Sequence, residues 1–379
     1  MTTGRRLRIA VLNRVFTPTA GGAERYSMAL VEQLASGHEL HVFAQRIEHN
    51  WPGVSYHRVS SPLTRPRWIN QLWYDCASWW ATRRGFDLVH SHENTWHGNV
   101  QTVHVLPVKH NLFQGRSGWR LALRYLKVAT SARLLTYLAI EHCRFAPRPG
   151  KLIVATSPAL RDVVLKTYPG CQVTVLAPGV AMPDRVADPQ AARGRLGLPR
   201  AGRLLAFVAN DYGKKGLSTL LEALCRLPAD LNLAVVGDPR HIEKFSDQAS
   251  SLGLASRVHF LGYLKEVAPL YEAADLLVHP TLEDTFAMVV LEAMAHGLPV
   301  VVSDARYCGI AGLLSNGVNA MILNSPTDAA QLAQIIERVL TDAALREQLA
   351  TGARQFARQY AWPGVARAQE ETYRQLCAL

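Results

Sequence analysis

Short apolar runs alternate along the chain with longer stretches in which apolar residues recur every three or four positions. The short runs predict β-strands and the longer stretches predict amphipathic α-helices. This alternation is typical of βα units built on parallel sheets. The first series predicts strands at Leu7–Asn13, Glu39–Gln45, Asp87–His90, Val100–Val105 and Leu152–Ala155, and helices at Ala23–Ser36, Trp68–Arg84 and Trp119–His142. The second series predicts strands at Leu204–Val208, Leu233–Val236, Val258–Leu261, Leu276–His279 and Val300–Ser303.

A polar stretch that contains Gly and Pro, Pro178–Arg203, separates the two series and predicts the connection between two domains. The length of 379 residues also suits two domains, at roughly 100–200 residues each. We therefore expect an α/β protein with Rossmann-like domains at 1–178 and 179–360. The last segment, 361–379, predicts an amphipathic helix with no strand after it.

The composition excludes several classes of protein. Apolar residues make up 49% and charged residues 19%, which is typical of a folded globular chain rather than a disordered one. No apolar run reaches the length of about 18 residues that predicts a membrane span, and the first predicted strand leaves no room for a signal peptide. The cysteines lie far apart without a CxxC pair, so we expect reduced thiols in a cytoplasmic protein, without a zinc site or disulfides.

Two glycine-containing loops carry residue types suited to binding an anion. Gly21 and Gly22 precede a predicted helix, where the backbone can approach a ligand and the helix N-terminus offers N–H donors. Lys214 and Lys215 follow the first strand of the second series, at the strand end where ligands of open α/β sheets bind, and together they would neutralise a diphosphate. The alternatives are an ordinary strand-to-helix turn and a pair of solvated lysines.

The stretch from His279 to Pro299 contains two carboxylates eight positions apart. Asp284 lies in the loop after a predicted strand, and Glu292 lies among apolar residues of a helix predicted over Phe286–His296. At about 1.5 Å per helical residue, the two acids would contact different parts of an extended ligand, unlike the close pair of a glycosidase. Burying Glu292 without a partner is costly. We therefore favour a functional role over a position on the solvent face.

These motifs resemble those of retaining GT-B glycosyltransferases of the family 4 type, and the resemblance covers nearly the whole chain. It rests on Gly21–Arg25, Pro178–Val180, Lys215-Gly216 and the pair Asp284 and Glu292. Within the family, Asp211–Gly216 together with His279-Pro280 is most similar to the lipopolysaccharide-core α-glucosyltransferases. The resemblance implies two Rossmann-like domains that face each other across a cleft. The N-terminal domain would bind the acceptor, the C-terminal domain would bind the nucleotide-sugar, and the C-terminal helix would cross back to the first domain.

The resemblance also implies roles for the polar residues of the second domain. Lys214 and Lys215 would hold the donor diphosphate and stabilise the charge that builds on the leaving nucleotide. Glu292 would bind the ribose hydroxyls, and Asp284 would bind hydroxyls of the donor sugar. Three backbone positions would face the sugar or a phosphate: Phe286, Ala287 and Met288.

In the first domain, the resemblance implies donor contacts from Gly21, Gly22 and a histidine. His104 lies near the end of the predicted strand Val100–Val105 and matches the family histidine that contacts the donor sugar near the reacting carbon. A histidine at a strand end is more often structural, so this role rests on the family match. The catalytic residues that we expect are His104, Lys215 and Asp284.

The chain departs from the family pattern at several positions. Asp284 replaces a residue that is mostly Glu, which shortens its reach by about one methylene, and Glu283 could supply that carboxylate instead. Asn210 falls near a phosphate-binding arginine of many members, so neutralisation would depend on the lysine pair. Thr285 and Ala287 replace glycines of the turn. These changes bear most on the identity of the donor sugar.

The implied reaction moves a hexose from a nucleotide-sugar to a hydroxyl of a lipopolysaccharide-core or other envelope glycolipid, with retention of configuration. UDP-glucose is the first expected donor, and UDP-GlcNAc or GDP-mannose on another glycan are the alternatives. The family is usually assigned a front-face mechanism, in which the leaving phosphate helps to deprotonate the acceptor. We find no separate nucleophile and no DxD aspartate pair, so we expect no metal and no cofactor besides the donor substrate.

The basic residues are concentrated in the first half. The formal net charge is +11, and up to Pro178 there are 22 basic and 9 acidic residues. Four basic residues share helical spacing beside Trp119 and Leu123: Arg116, Arg120, Arg124 and Lys127. Such a face suits an interfacial helix on an anionic leaflet or a phosphorylated glycolipid acceptor, and a solvated face over an ordinary core is the plain alternative. We predict peripheral attachment to the cytoplasmic face of the inner membrane.

Other functions fit the sequence less well. The isoelectric point near 9.5 would suit a nucleic-acid-binding protein. We find no zinc-finger spacing, RNP-like motif or helix-turn-helix, and the second domain is not basic, so no nucleic-acid partner is expected. A dinucleotide oxidoreductase would need a GxGxxG after a strand, and none is present. Nucleotide-sugar epimerisation and glycogen synthesis are nearer alternatives, because they share the GT-B fold.

Overall fold

The computed structural model describes residues 5–18, 21–63, 65–183 and 188–378. The chain divides into two compact units: unit 1 consists of Met1–Gly179 and Trp362–Leu379, and unit 2 consists of Val180–Ala361. Residues 184–187 of the predicted connection and residue 379 of the predicted last helix lie outside the described residues. Among the helices described, none has both the length and the apolar character needed to cross a bilayer.

The secondary structure of the described residues follows the βα alternation. The strands are β1 (Arg8–Leu12), β2 (Val15–Phe16), β3 (Glu39–Ala44), β4 (Arg46–Ile47), β5 (Val54–Arg58), β6 (Leu88–Ser91), β7 (Val100–Val103), β8 (Leu152–Ala155), β9 (Val173–Val175), β10 (Leu204–Ala209), β11 (Asn232–Gly237), β12 (Val258–Gly262), β13 (Leu276–His279), β14 (Val300–Ser303) and β15 (Met321–Leu323). The helices are α1 (Gly22–Leu34), α2 (Arg67–Thr82), α3 (Val108–Phe113), α4 (Gly118–Ala129), α5 (Ala132–Phe145), α6 (Pro158–Thr167), α7 (Pro189–Arg195), α8 (Leu217–Leu224), α9 (Ile242–Ser251), α10 (Ala268–Ala273), α11 (Met288–Ala295), α12 (Ala329–Thr341), α13 (Ala343–Gln359) and α14 (Trp362–Cys377). Short 3₁₀ helices lie at Pro239–His241 and Gly309–Leu313.

Unit 1 is built on a parallel sheet with the strand order β5-β3-β1-β6-β7-β8-β9. The chain winds outward from β1 through β3 to β5 and then returns to β6 on the other side of β1. Strand β1 lies in the interior because its residues from Ile9 to Leu12 are all buried, as expected for a parallel strand covered on both faces. The reversal places a topological switch point, where open sheets bind ligands, between β1 and β6.

The last helix, α14, packs against α1 and belongs to unit 1. The Tyr373 hydroxyl lies 2.5 Å from Nδ1 of the buried His90, and the Trp362 ring lies 5.5 Å from the Tyr26 ring. The Trp362 indole also packs so closely on Gly179 that a Cβ there would lie 2.4 Å from the ring. The amphipathic pattern of the last segment is therefore explained by burial of its apolar face in unit 1.

Unit 2 is built on a second parallel sheet with the order β12-β11-β10-β13-β14-β15. This order is the doubly wound one, with its switch point between β10 and β13. The central strands are continuous apolar runs that bury every residue from Leu204 to Ala209 and from Leu276 to His279. Loops that follow β10 and β13 therefore emerge side by side at the carboxyl edge.

Two predicted elements differ from the structure by more than their bounds. The stretch predicted as one helix, Trp119–His142, forms α4 and α5, because Ser131 ends the first run and caps the second by accepting the N–H of Leu134 at 3.4 Å. The stretch predicted as a connection, Pro178–Arg203, contains the helix α7. Asp188 caps α7 by accepting hydrogen bonds from the N–H groups of Gln190 and Ala191. Because α7 is short and polar, its sequence shows no apolar periodicity that would predict a helix.

Candidate functional site

The loops after β10 and β13 are tied together at the switch point of unit 2. The Leu282 N–H donates to the Lys214 carbonyl at 2.9 Å, and the Thr281 hydroxyl donates to the same oxygen at 3.3 Å. Gly216 has a φ of +81°, and a Cβ there would lie 2.0 Å from the Pro280 carbonyl oxygen. Only glycine fits this contact. The lysine loop and the acidic loop therefore form one structure.

Lys215 and Asp284 form an ion pair in this structure, with 2.7 Å between Nζ and Oδ2. The Lys215 ammonium also donates to the Glu283 carbonyl at 2.7 Å, and His279 Nε2 lies 3.3 Å from Asp284 Oδ2. Burial alone would raise the pKa of the Asp284 carboxyl. The hydrogen bond from His279 and the charges of His279 and Lys215 outweigh burial and hold this pKa well below its usual range. Asp284 is therefore a carboxylate at neutral pH.

The other Asp284 oxygen fixes the start of α11. Oδ1 accepts the Ala287 N–H at 2.8 Å and the Phe286 N–H at 3.2 Å. Ala287 itself has a φ of +76°, and no other non-glycine residue that the structure describes has a positive φ. Helix α11 then begins at Met288, two residues later than predicted, with its N-terminal N–H groups beside the Asp284 loop. This turn joins a carboxylate, an ammonium and a helix N-terminus, which together suit a ligand with hydroxyls and phosphates.

Glu292 lies in α11 and is partly buried. The hydroxyl of Tyr271, a residue of α10 that is 4% exposed, donates to Glu292 Oε2 at 2.9 Å. Glu292 is therefore held at a defined position and does not project freely into solvent. Sequence reasoning missed Tyr271, because a single aromatic residue in an apolar helix carries no signal beyond core packing.

The remaining loop residues lie around the lysine pair. Lys214 is exposed, and its N–H donates to Asp211 Oδ1 at 3.0 Å. Tyr212 is fully buried among the core residues of unit 2, and burial raises the pKa of its hydroxyl to about 12. The loop is thus anchored by the buried Tyr212 ring, while Lys214 stays at the surface. Asn210 is also exposed.

In unit 1, the predicted glycines and histidine lie at the carboxyl edge of the sheet. Gly21 is the N-cap of α1 and Gly22 its first residue. His104 follows β7, with its Nε2 3.2 Å from His92 Nδ1 and its ring 5.2 Å from that of Tyr26. Burial and the charge of Arg144 lower the pKa of His104 to about 3, so its imidazole is neutral at neutral pH.

A charged network that the sequence did not predict lies at the switch point of unit 1. The Arg14 N–H donates to Glu93 Oε1 at 3.0 Å, and Arg14 Nε lies 3.5 Å from Oε2. Nearby in α2, Asp75 is fully buried and accepts a hydrogen bond from Gln71 at 3.0 Å. Burial raises the pKa of Asp75 to about 8. Its carboxyl is therefore mostly protonated at neutral pH.

Helix α4 presents large apolar side chains to solvent. Trp119 is 69% exposed and Leu126 is 62% exposed. The four predicted basic residues line one groove of about 530 Å³ beside Trp119: Arg116, Arg120, Arg124 and Lys127. Arg116 precedes α4 and reaches this groove from the preceding turn, where it donates to the Asn111 carbonyl at 2.9 Å.

The side chains that could bind a metal ion are not gathered into a site for one in the described residues. Over the described ranges, no three His, Cys, Asp or Glu side chains are grouped as they would need to be to hold a metal ion. The described cysteines are all free thiols.

Two family models match the chain. The model described as glycosyl transferases group 1 matches residues 189–356, and the model described as Glycosyltransferase Family 4 matches residues 20–187. Lipopolysaccharide glucosyltransferase WaaG of Escherichia coli strain K12 is 32% identical over 240 residues, 60% of this chain and 63% of that protein. A D-inositol 3-phosphate glycosyltransferase of Xylanimonas cellulosilytica is 30% identical over 298 residues, 70% of each chain.

Solved structures support the same fold. The crystal structure of WaaG, a glycosyltransferase involved in lipopolysaccharide biosynthesis, matches 96% of this chain and 99% of its own, with a TM-score of 0.80 and 23% identity. Anabaena Alr3699/HepE in complex with UDP-glucose matches 98% of this chain and 100% of its own, with a TM-score of 0.75 and 19% identity. The expected fold class is confirmed: two Rossmann-like units of the GT-B type. The chain belongs to the family 4 glycosyltransferases.

Proposed function

We propose that this chain transfers glucose from UDP-glucose to a hydroxyl of a lipopolysaccharide-core or other envelope glycolipid, with retention of configuration. The observation that carries the proposal is the ion pair of Lys215 and Asp284 at the switch point of unit 2, beside the start of α11. The glucosyltransferase name of WaaG and the UDP-glucose bound to HepE support this choice of donor. UDP-GlcNAc and GDP-mannose remain the alternative donors.

The donor would bind to unit 2 through groups that are already held in place. The Lys215 ammonium would bind diphosphate oxygens, with Lys214 and the α11 N-terminus adding positive potential. Glu292, held by Tyr271, would bind the ribose hydroxyls. Asp284 would bind hydroxyls of the donor sugar. Because Asp284 is one methylene shorter than glutamate and already holds Lys215, its orientation is set by the lysine as well as by the backbone of the turn.

The chemical step would need charge stabilisation more than a protein nucleophile. As the glycosidic bond to the diphosphate breaks, negative charge grows on the phosphate, where the lysine pair stabilises it. The acceptor oxygen would bond to the anomeric carbon on the face from which the diphosphate leaves, which retains the configuration, and a phosphate oxygen would take the acceptor proton. We propose that no metal takes part, so activity should persist in EDTA. Complete loss in EDTA with recovery in magnesium would contradict this part of the proposal.

We propose that unit 1 binds the acceptor and adds donor contacts through Gly21, Gly22 and His104. A neutral His104 could accept or donate a hydrogen bond to a sugar hydroxyl without adding charge next to the reacting carbon. The polar network of Arg14 and Glu93 lies at the same edge and would suit acceptor hydroxyls. A phosphorylated cyclitol is the second candidate acceptor, because the D-inositol 3-phosphate glycosyltransferase matches over 70% of both chains.

We propose that α4 attaches the protein to the cytoplasmic face of the inner membrane. Its exposed Trp119 and Leu126 would enter the interface while its arginines contact anionic headgroups. Co-sedimentation with vesicles of phosphatidylcholine, with and without phosphatidylglycerol, tests this. We expect binding only to the anionic vesicles, and loss of binding when Arg116, Arg120 and Arg124 are changed to Gln. The matched control changes the exposed arginines of unit 2, Arg226, Arg338 and Arg358, to Gln. Equal binding to both vesicles would contradict the proposal.

The activity itself is tested by measuring transfer of labelled glucose from UDP-glucose to deglucosylated lipopolysaccharide core, with inositol phosphate as the rival acceptor. We expect labelled core and no labelled inositol phosphate. Lys215→Ala should abolish transfer, whereas Lys265→Ala, at a site in unit 2 outside the two loops, should retain it. Labelled inositol phosphate alone would replace the glycolipid acceptor with the second candidate.

A further inference from the structure

A groove lies at the edge of the unit 1 sheet opposite to the edge that carries Gly21 and His104. It has a volume of about 360 Å³, and its lining includes residues that directly precede β6, β7 and β8, among them Asp87, Asn99 and Lys151. It is therefore formed at the amino ends of these strands, whereas Gly21 and His104 lie at the carboxyl edge. Neither the family resemblance nor the proposed reaction assigns a role to this groove.

Three cations line the groove: Arg83, Arg148 and Lys151. Lys151 is only 8% exposed, and its ammonium donates to the Cys143 carbonyl at 2.8 Å. Burial, together with the charges of Arg148 and Arg144, lowers the pKa of Lys151 to about 8. In the part of the chain that the structure describes, no carboxylate forms an ion pair with any of the three lining cations. A buried cation without a counter-ion is costly, so an anion from outside would stabilise it.

The one acid of the groove is already engaged. Asp87 Oδ1 accepts a hydrogen bond from the Arg5 guanidinium at 2.6 Å, and Oδ2 accepts the Arg8 N–H at 2.8 Å. The Asp87 carboxylate is therefore engaged by Arg5 and by the backbone at the start of β1, and it forms no ion pair with Arg148 or Lys151. The groove keeps an excess of positive charge.

Aromatic side chains form the walls. Trp79 is 43% exposed, and Trp96 lines the same groove from the loop between β6 and β7. An indole face is flat and carries the negative end of the ring quadrupole, so it suits the C–H face of a sugar ring better than it suits a free anion. The Arg83 guanidinium stacks on the Trp80 ring at 3.3 Å and lies 5.9 Å from the Trp79 ring, so a cation is held beside that wall.

The loop that carries Trp96 is held in place by its own hydrogen bonds. The Thr95 hydroxyl donates to Ser91 Oγ at 2.8 Å and also lies 3.0 Å from the His97 carbonyl oxygen. His97 Nε2 lies 3.4 Å from Ser78 Oγ, whereas its buried Nδ1 has no hydrogen-bond partner among the described residues. The Trp96 loop is thus preorganised, and the His97 Nδ1 lies beneath its surface.

We propose that this groove binds an anionic saccharide, with its phosphate or carboxylate at Arg148 and Lys151 and its ring against Trp79 and Trp96. The site lies wholly in unit 1 and does not depend on donor binding in unit 2. Cations alone would suit any anion, and tryptophans alone would suit any sugar. The combination of cations and tryptophans in one groove favours a ligand that carries both an anionic group and a sugar ring.

Isothermal titration of the full chain with glucose 6-phosphate, glucuronate, glucose and inorganic phosphate tests the proposal. We expect at least one of the two anionic sugars to bind at least about tenfold more tightly than glucose or phosphate, because only it makes both kinds of contact. The stronger of the two identifies the anionic group. Binding of inorganic phosphate as tight as that of both sugars would overturn the saccharide assignment, and no binding of either sugar would overturn the site.

Variants locate the binding. Arg148→Gln and Trp79→Leu should each weaken the anionic sugar by about tenfold. The matched controls are Arg84→Gln and Trp73→Leu, which remove the same groups at exposed positions that do not line the groove. Glu292→Ala, in unit 2, should leave this affinity unchanged. Unchanged affinity in both groove variants would overturn the proposal, and UDP binding measured in the same proteins shows separately whether the donor site is intact.

Discussion

The Lys215 ammonium lies 2.7 Å from the Asp284 carboxylate, so the cation proposed for the diphosphate and the acid proposed for the donor sugar form one hydrogen-bonded unit. Sequence reasoning treats them as separate contacts on two loops. The structure joins them because β10 and β13 are neighbours and both loops emerge at the switch point. A donor that binds here would contact a lysine whose position is already fixed by the acid.

From the ion pair of Lys215 and Asp284 we predict that the stability of unit 2 depends on pH. The pKa of Asp284 is lowered in the folded chain, so its carboxylate stabilises the fold above the unfolded pKa of about 4 and loses that contribution as the pH falls. At pH 7, Asp284→Asn should therefore destabilise unit 2 by about 2 kcal/mol. Urea unfolding of both proteins between pH 3 and 7 should show the difference narrowing below about pH 4. A difference that stays constant over this range would contradict the assignment.

The backbone at Ala287 predicts a stabilising substitution. A left-handed conformation costs an L-residue roughly 1–2 kcal/mol, and Ala287 adopts it with a φ of +76°. Ala287→Gly should therefore stabilise unit 2 by about 0.5–1 kcal/mol after the entropy cost of glycine is subtracted. Ala293→Gly in the same helix is the matched control and should destabilise by about 1 kcal/mol. Loss of stability in both variants would show that the turn is not strained.

Asp75 predicts the opposite dependence on pH. Its pKa is raised by burial to about 8, so the folded chain holds a proton that the unfolded chain releases near pH 4. Between about pH 4 and 8 the carboxyl is ionised in the unfolded chain and protonated in the folded chain. The free energy of unfolding therefore falls as the pH rises through this window, by up to about 1.4 kcal/mol per pH unit. Asp75→Asn cannot ionise, so its stability relative to the wild type should increase steadily from pH 4 to 8 in thermal or urea unfolding. A gain that does not depend on pH would mean that Asp75 is ionised in the fold.

We predict that the buried Tyr271 hydroxyl strengthens donor binding through its hydrogen bond to Glu292. Tyr271→Phe removes the hydroxyl that donates to Glu292 and leaves the ring in place. The loss of one hydrogen bond to a carboxylate, about 1 kcal/mol, should weaken UDP by about fivefold in calorimetric titration. Tyr263→Phe, at a 57% exposed residue of the same unit, is the control and should bind UDP like the wild type. Equal UDP affinity in all three proteins would show that the Tyr271 hydroxyl does not contribute to UDP binding.

The apolar pattern predicts the central strands well because parallel strands covered on both faces are continuous apolar runs. The runs Leu276–His279 and Val300–Ser303 have the same bounds in the sequence analysis and in the structure. Edge strands escape this pattern. Strand β5, Val54–Arg58, is mostly exposed and contains polar residues, so only its pairing with β3 defines it as a strand.

Long-range pairing accounts for what the sequence could not predict at the site. Spacing and resemblance single out Lys215, Asp284 and Glu292, but nothing local indicates that Tyr271 contacts Glu292 from another helix. Likewise, Asp75 on α2 and Glu93 after β6 lie close enough in the fold for the Glu93 charge to raise the pKa of Asp75, which no local pattern indicates. The pKa shifts of Asp75 and Asp284 depend on burial and on neighbours from other elements, so they cannot be predicted from the local sequence.

The central claim is that unit 2 holds a nucleoside diphosphate between Lys215 and Glu292. We would measure thermal unfolding with UDP, GDP, ADP, dTDP and NAD, using Lys215→Ala and Glu292→Ala as the variants. A ligand at 100 times its Kd adds about 2.7 kcal/mol to the stability of the folded chain, which is a visible shift in Tm. We expect UDP to raise the Tm of the wild-type protein and neither variant to respond. A Tm that no nucleotide changes, or an equal response in the variants, would contradict the claim.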